Sequence, residues 1–226
     1  ILIMCASALF PVAWLLCLGL PSYENITDVE VPPVFVIPQF PAILIYICVF
    51  AFGITIIEGA MADWASVYVK EMLGPEAQGT GYGFGLFAAF MALGRFFGDY
   101  LKIKLGTIIV ARVFVILAIL GLIILVTADD LWLALVGFAL TGMGVSIGFP
   151  LAVTSAASID DKREASYVAF LSLIALIGFL VGPPIIGFLA NVTNLKTGFI
   201  MLFPGLLLSL FMSSKLISSK TEGNVR

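Results

Sequence analysis

The sequence predicts an all-α fold, a bundle of transmembrane helices that crosses a lipid bilayer several times. Of the 226 residues, 62% are apolar and only 11% are charged, whereas soluble domains carry about 25% charged residues. The mean hydropathy is +1.17. The apolar residues are gathered into seven stretches, each close to the ~20 residues with which a helix crosses a bilayer. We therefore expect a multi-pass integral membrane protein whose main surroundings are lipid.

The seven predicted spans are separated by short linkers that hold most of the local polar residues. The spans are Ile1–Leu20, Pro41–Val69, Gly79–Tyr100, Thr107–Thr127, Leu131–Ser155, Ser166–Ala190 and Thr197–Met212. The longest linker, 21–40, is rich in acidic residues and proline and is typical of a segment between domains. Because the chain is apolar from its first residue, we expect the sequence to be a fragment that begins inside the span 1–20. A six-helix bundle (41–214) and a tail (215–226) follow.

The composition argues against metal, redox and nucleic-acid functions. There is no histidine, which removes the commonest metal ligand and general base. Cys5, Cys17 and Cys48 all lie in apolar stretches and are interpreted as packing residues. The net charge is −3 without a basic run, so nothing indicates nucleic acid as a partner. We expect neither a cofactor, nor a metal, nor an enzymatic activity.

Basic residues predict the orientation, because cytoplasmic loops carry an excess of Lys and Arg. Of the eleven Lys and Arg residues, only Lys70 and Lys196 fall on the side opposite to the linker 21–40. The other nine fall on the side of that linker and of the C-terminal tail: Arg95, Lys102, Lys104, Arg112, Lys162, Arg163, Lys215, Lys220 and Arg226. The C-terminus is therefore predicted to be cytoplasmic.

Several spans carry small residues at four-residue spacing, which lets helix backbones approach closely in lipid. Gly178 and Gly182 form such a row in the sixth span, and Pro183 and Pro184 follow directly. Adjacent prolines remove two backbone donors, so we expect the helix to bend or break there. A bent helix among glycines is more typical of a moving element than of a static anchor.

The second span contains the stretch Ile56–Trp64, "IIEGAMADW", with two carboxylates. Glu58 lies ~25 Å along the helix from Pro41, at 1.5 Å per residue, which predicts a position in the outer half of the membrane. Ionisable groups at such depth are costly and usually functional. We expect Glu58 to bind a coupled proton or a polar group of a solute. The alternative is a carboxylate satisfied by water or helix partners at the rim.

Other polar residues of the spans give weaker signals. Asp63 is expected at the outer interface, as a cap of its helix. Trp64 is either an interfacial aromatic residue or a stacking platform for a sugar. Thr55, Thr141 and Ser146 are single hydroxyls that are candidates for lining a solute cavity.

The stretch Gly94–Gly106, "GRFFGDYLKIKLG", is predicted to join the third and fourth spans on the cytoplasmic side. Asp99 is expected to pair with Arg95 one turn earlier, or to face the N-terminus of a neighbouring helix. Either contact would act as a conformational latch, and the alternative is an ordinary charged loop. The residues expected to take part are Gly94, Arg95, Gly98, Asp99, Lys102, Lys104 and Gly106.

This stretch, called the signature segment below, resembles the second copy of the signature loop of the major facilitator superfamily. That loop lies between the eighth and ninth helices of these twelve-helix transporters. The first span then looks like helix six, the linker like the central cytoplasmic loop, and the other spans like helices seven to twelve. "GFLVGPPIIG" (178–187) resembles the glycine–proline pattern of helix eleven. Two residues depart from the pattern: Tyr100 and Thr107 stand where basic residues are common.

The resemblance implies the C-terminal half of that fold, most like bacterial sugar-type permeases, with the N-terminal half of the same chain as its missing partner. It implies a secondary active transporter, a symporter of the bacterial inner membrane. The substrate would be a small polar, sugar-like solute, moved by alternating access with proton coupling. A drug or metabolite exporter of the same superfamily is the alternative. A seven-helix receptor is the rival from another class, because seven spans with the N-terminus outside is a receptor topology.

Overall fold

The computed structural model describes residues 40–74 and 79–217. These residues form α-helices and one short 3-10 turn, with no strand among them, so the predicted all-α fold is confirmed. The helices are α1 (Ala42–Leu73), α2 (Tyr82–Leu105), α3 (Thr107–Thr127), α4 (Leu131–Val145), α5 (Gly148–Ala157), α6 (Glu164–Val192), α7 (Leu195–Ile200) and α8 (Phe203–Met212), followed by the 3-10 turn Ser213–Lys215.

Within the described residues, six stretches of helix are long and apolar enough to cross a membrane. They correspond to the last six predicted spans, which confirms the multi-pass prediction for this part of the chain. The fourth of the six is interrupted between α4 and α5, at Ser146 and Ile147, and the last is interrupted between α7 and α8. The predicted span 1–20, the linker up to residue 39 and the tail beyond residue 217 lie outside the described residues.

Helix α1 lies at the centre of the described bundle, in contact with α2, α4, α5, α6 and α8. Of its most apolar stretch 61% is buried, against 17% for α2 and 22% for α6. The Tyr68 ring of α1 packs edge-on against Phe138 and Phe199, with ring centroids 5.7 and 5.5 Å apart. Its hydroxyl donates a 2.7 Å hydrogen bond to the carbonyl of Leu125 on α3. Helices α2 and α6 therefore pack beside the buried helix α1, and most of their own surface is not covered by the described residues.

Glycines bring α6 against α1 backbone to backbone. A Cβ atom at Gly59 would lie 1.9 Å from the carbonyl oxygen of Phe179, and one at Gly182 would lie 2.3 Å from that of Ile56. Carbon–oxygen contacts of this kind are normally ~3.3 Å or longer, so a side chain at either position forces the helices apart. Gly182 therefore makes the close packing that its four-residue row predicts.

The signature segment is helical up to Gly106, so the predicted loop between the third and fourth spans is wrong for residues 101–105, which extend the helix beyond the predicted end at Tyr100. Residues 94–105 all belong to α2, and the single residue Gly106, with φ of 82°, separates α2 from α3. No proline and no positive φ occurs between Gly94 and Leu105. The helix therefore continues until Gly106 adopts the left-handed conformation that glycine tolerates.

Helix α6 continues through Pro183 and Pro184, so the predicted break is wrong, and a bend stays a prediction. Because proline has no N–H, the carbonyls of Phe179 and Leu180 lack the donor that a helix supplies four residues later. The Phe179 oxygen is directed at Gly59 of α1. The two prolines thus leave two carbonyls without helical donors in the part of α6 that packs against residues 56–60 of α1.

Candidate functional site

Glu58 lies at the middle of α1, roughly 24 Å from its first residue and 22 Å from its last, at 1.5 Å per residue. The predicted depth in the outer half of the membrane was counted from Pro41 across a bilayer core of ~30 Å. Helix α1, with 32 residues, is longer than such a core, so that depth stays a prediction. The Glu58 side chain is 14% exposed. Its Oε1 atom is buried and has no hydrogen-bond partner. The structure therefore holds a carboxylate in the interior of the bundle without satisfying it.

Arg95 on α2 is the charged partner of Glu58. Its Nη2 atom lies 3.9 Å from Oε1 of Glu58, and its Nε atom donates a 3.1 Å hydrogen bond to the carbonyl oxygen of Ser146. In an unbroken helix that carbonyl would accept from residue 150, which is Pro150 and has no N–H. Arg95 thus supplies the donor that Pro150 lacks, and one guanidinium group joins α1, α2 and the α4–α5 break.

The two charges attract each other without forming a hydrogen bond. Their 3.9 Å separation exceeds the ~2.7–2.9 Å of a charge-assisted N–H···O bond. The Arg95 side chain is 50% exposed, so its outer edge faces the uncovered side of α2. Charges inside a membrane are costly unless they are paired. Among the described residues, the ion-pair partner of Glu58 is this one cation on a different helix.

The predicted pairing of Asp99 with Arg95 is wrong. Within the described residues the ion pairs are Arg95–Glu58 and Lys196–Asp129, so the Arg95 guanidinium is committed elsewhere. Asp99 is exposed and borders a cavity of about 150 Å³ beside the α4–α5 break. Its role as a latch stays a prediction.

The glycines of the signature segment bring Arg95 to the break. A Cβ atom at Gly94 would lie 2.2 Å from the Ser146 hydroxyl oxygen, and one at Gly98 would lie 2.2 Å from a methyl carbon of Ile147. Only glycine at these positions lets α2 lie so close to the α4–α5 turn. At the other end of the segment, Lys104 Nζ lies 4.5 Å above the Tyr100 ring, a cation–π contact.

Thr55 and Thr141 lie in helix–helix contacts, which does not favour the cavity-lining role predicted for them. Both are buried, and each hydroxyl donates to the carbonyl four residues earlier in its own helix. Thr55 packs against Gly178 and Thr141 against Gly121. Ser146 is buried too, and it contributes to the site through its backbone carbonyl.

Trp64 and Asp63 border a larger cavity between α1 and α6, with a volume of about 360 Å³. The remaining lining residues are Val67, Phe179, Leu180, Pro183 and Pro184. The indole Nε1 of Trp64 donates a 3.0 Å hydrogen bond to the carbonyl of Pro183, which anchors the ring to α6. Asp63 is exposed in this cavity, and the helix ends only at Leu73, so its predicted role as an outer cap is wrong.

Sequence reasoning missed the link between Glu58 and Arg95. It counted Arg95 with the cytoplasmic residues because Arg95 lies near the predicted cytoplasmic end of the third span at Tyr100, and it paired Arg95 with Asp99 of the same segment. The available signal was Pro150, which leaves the carbonyl of Ser146 without a helical donor and so creates a need for a donor from a neighbouring helix. Which helix meets that need depends on packing.

An apolar helical bundle that holds an ion pair between its helices is the architecture of a polytopic membrane protein with a functional site inside the membrane. The family model of the Major Facilitator Superfamily matches residues 43–225. The chain belongs to this superfamily of membrane transporters, as the signature segment suggested.

Among the curated relatives that the chain resembles, two are named as transporters and one as a membrane protein. An uncharacterised MFS-type transporter of Yersinia pestis is 32% identical over 74% of this chain and 43% of its own length. An uncharacterised transporter of Sinorhizobium fredii is 29% identical over 73% of this chain and 43% of its own length. The membrane protein MosC of Rhizobium meliloti is 30% identical over 65% of this chain and 36% of its own. The chain thus spans less than half the length of these relatives.

Proposed function

We propose that this chain acts in a proton-coupled secondary transporter that moves a small polar solute by alternating access, with Glu58 as the proton-binding residue. The observation that carries the proposal is the Glu58–Arg95 pair, held at the middle of α1 with an unsatisfied Oε1 atom. Intramembrane carboxylates of transporters commonly serve as proton relays. Among the described residues, Arg95 of α2 is the cation within 4 Å of this carboxylate, and the other helices that pack on α1 contribute none.

The pair is suited to switching because its two members lie on different helices. While α1 and α2 stay together, Arg95 balances the charge of Glu58 across 3.9 Å. Movement of α2 away from α1 would leave an unpaired carboxylate in the bundle, where a bound proton neutralises it at lower cost than burial of the charge. Proton binding and release thus become coupled to the relative position of two helices, as alternating access requires.

A proton site of this kind is compatible with two directions of transport: uptake of a solute together with a proton, and export of a solute in exchange for a proton. The resemblance to sugar-type permeases favours uptake of a sugar-like solute. The distribution of Lys and Arg favours a C-terminus in the cytoplasm, and the resemblance to bacterial permeases favours a bacterial inner membrane.

The test is an infrared titration of the complete protein, as its gene encodes it, in lipid bilayers. Lowering the pH should produce a C=O band of a protonated buried carboxyl group, and Glu58→Gln should remove that band. Glu71→Gln, which removes an exposed carboxylate from the same helix, is the matched control and should leave it. An unchanged band in Glu58→Gln refutes the assignment of the proton site.

Transport itself is measured in proteoliposomes with a panel of sugars, sugar acids and small amines under an imposed pH gradient. The wild-type protein should accumulate at least one solute in proportion to the gradient. Glu58→Gln should lose accumulation while retaining exchange of the solute across the membrane. Accumulation that is independent of the gradient in the wild-type protein contradicts proton coupling.

A further inference from the structure

We propose that the cavity between α1 and α6 binds an organic ammonium group, with Asp63 as its counterion. The cavity is lined by Asp63, Trp64 and Val67 of α1 and by the proline-containing turn of α6, and its volume is about 360 Å³. This size suits a small organic molecule better than a single water or a bare ion. The proposal rests on the proposed function only in taking the bound compound to be a transported solute, and it replaces the sugar-like solute that the resemblance favours by an organic ammonium compound.

The polar groups at this cavity are predominantly acceptors. Asp63 has no hydrogen-bond or ion-pair partner among the described residues. Leu180, another lining residue, has a carbonyl that lacks its helical donor because Pro184 follows four residues later, whereas the similarly freed carbonyl of Phe179 is directed at Gly59 of α1. An ammonium group offers up to three N–H donors and a positive charge, so its chemistry complements a carboxylate on a wall that also contains a backbone acceptor.

The indole N–H of Trp64, the side-chain donor among the lining residues, is already hydrogen-bonded within the protein. The indole Nε1 of Trp64 donates to the carbonyl of Pro183 at 3.0 Å, which leaves the ring as an apolar wall. No Lys or Arg is among the lining residues. An anionic solute would therefore meet the Asp63 carboxylate without a compensating cation, whereas an ammonium compound with a small apolar body finds both a counterion and an apolar surface.

The apolar wall also indicates the shape of the ligand. Val67, Leu180 and the two prolines provide aliphatic surface, and the Trp64 indole can contact a cation or a flat ring. A primary amine on a compact hydrocarbon body matches this arrangement, whereas a fully hydroxylated sugar would leave most of its donors and acceptors facing apolar groups.

Calorimetry of the complete protein in lipid nanodiscs tests the proposal with two probes of similar shape. The probes are phenethylammonium and its uncharged analogue n-propylbenzene. The wild-type protein should bind phenethylammonium, and Asp63→Asn should weaken that binding about tenfold to a hundredfold, the range expected for a hydrogen bond to a charged group. Asp63→Glu should restore most of the affinity, and Glu71→Gln, on the same helix but outside the cavity, should have no effect. Equal affinity for both probes, or undiminished binding in Asp63→Asn, overturns the proposal.

Two further measurements distinguish an ammonium site from a metal-cation site and from the proton site at Glu58. Replacing Na⁺ by K⁺ in the buffer should leave phenethylammonium affinity unchanged, whereas inhibition by millimolar Na⁺ overturns the proposal in favour of a metal-cation site. The infrared band of Glu58 is recorded on the same samples. If the wild-type protein shows the Glu58 band but does not bind phenethylammonium, the ammonium site alone is refuted. If it binds phenethylammonium but lacks the Glu58 band, the proton site alone is refuted.

Discussion

Substituting Gly59 by alanine tests the close contact on which the α1–α6 arrangement depends. The new Cβ atom would lie 1.9 Å from the carbonyl oxygen of Phe179, whereas carbon–oxygen contacts normally begin at ~3.3 Å. The helices would therefore have to separate by roughly 1.4 Å at this point, the difference between these two distances. Because the obstacle is backbone rather than a flexible side chain, we expect a loss near the upper end of the ~1–3 kcal/mol typical of overpacking.

The assay is the reversible unfolding of the protein in mixed micelles by increasing mole fractions of SDS, followed by circular dichroism. Gly85→Ala is the matched control, since it makes the same substitution inside α2, where a Cβ atom has nothing within 4 Å among the described residues. Gly85→Ala should unfold at the wild-type SDS fraction or slightly above it, because alanine favours helix by up to ~1 kcal/mol relative to glycine.

The difference in stability between the two variants tests how closely α6 approaches α1. If Gly59→Ala is as stable as Gly85→Ala, α6 does not approach α1 as closely as described, and the cavity bordered by Asp63 loses its wall. A selective loss in Gly59→Ala supports the contact.

Two further predictions concern the bundle and its orientation. Tyr68→Phe removes the 2.7 Å hydrogen bond to the Leu125 carbonyl while keeping the ring, so the free energy of unfolding should fall by about 0.5–1.5 kcal/mol; an unchanged SDS midpoint would show that this bond contributes nothing. In a cysteine-free background, Lys162→Cys should react with a membrane-impermeant maleimide from the cytoplasmic side, and Lys196→Cys should react from the opposite side. Labelling of both from one side contradicts the predicted orientation.

The positions of the spans follow from the sequence because lipid enforces a local rule. A segment of about 20 apolar residues crosses the bilayer as a helix whatever its neighbours do, since its backbone groups can be satisfied only within the segment. The fourth span, Thr107–Thr127, is accordingly identical in prediction and structure. Helix ends were less well predicted where a span was ended at polar residues: α1 and α2 continue past Val69 and Tyr100 and end only at Leu73 and Leu105, directly before Gly74 and Gly106. Polar residues do not stop a helix, whereas a glycine with positive φ does.

The candidate site was predictable only in part. Glu58 is recognisable from the sequence because a carboxylate within an apolar span is costly wherever it lies. Thr55 and Thr141 were chosen as cavity residues for their hydroxyls alone, and both instead pack against glycines of neighbouring helices. A hydroxyl on a helix can always bond the carbonyl of its own preceding turn, so its presence in the sequence does not reveal what it faces.

The sequence by itself determined that the chain is a multi-pass membrane protein, the number and position of the spans within the described residues, and the presence of a carboxylate within the second span. Composition and hydropathy suffice for these because each depends on the chain's contact with lipid. Tertiary structure alone decided that Arg95 meets Glu58 instead of Asp99, and that Asp63 lies in a cavity against the prolines of α6. Both results depend on glycine contacts between helices distant in sequence, and the side chain across such a contact is fixed by how the helices pack.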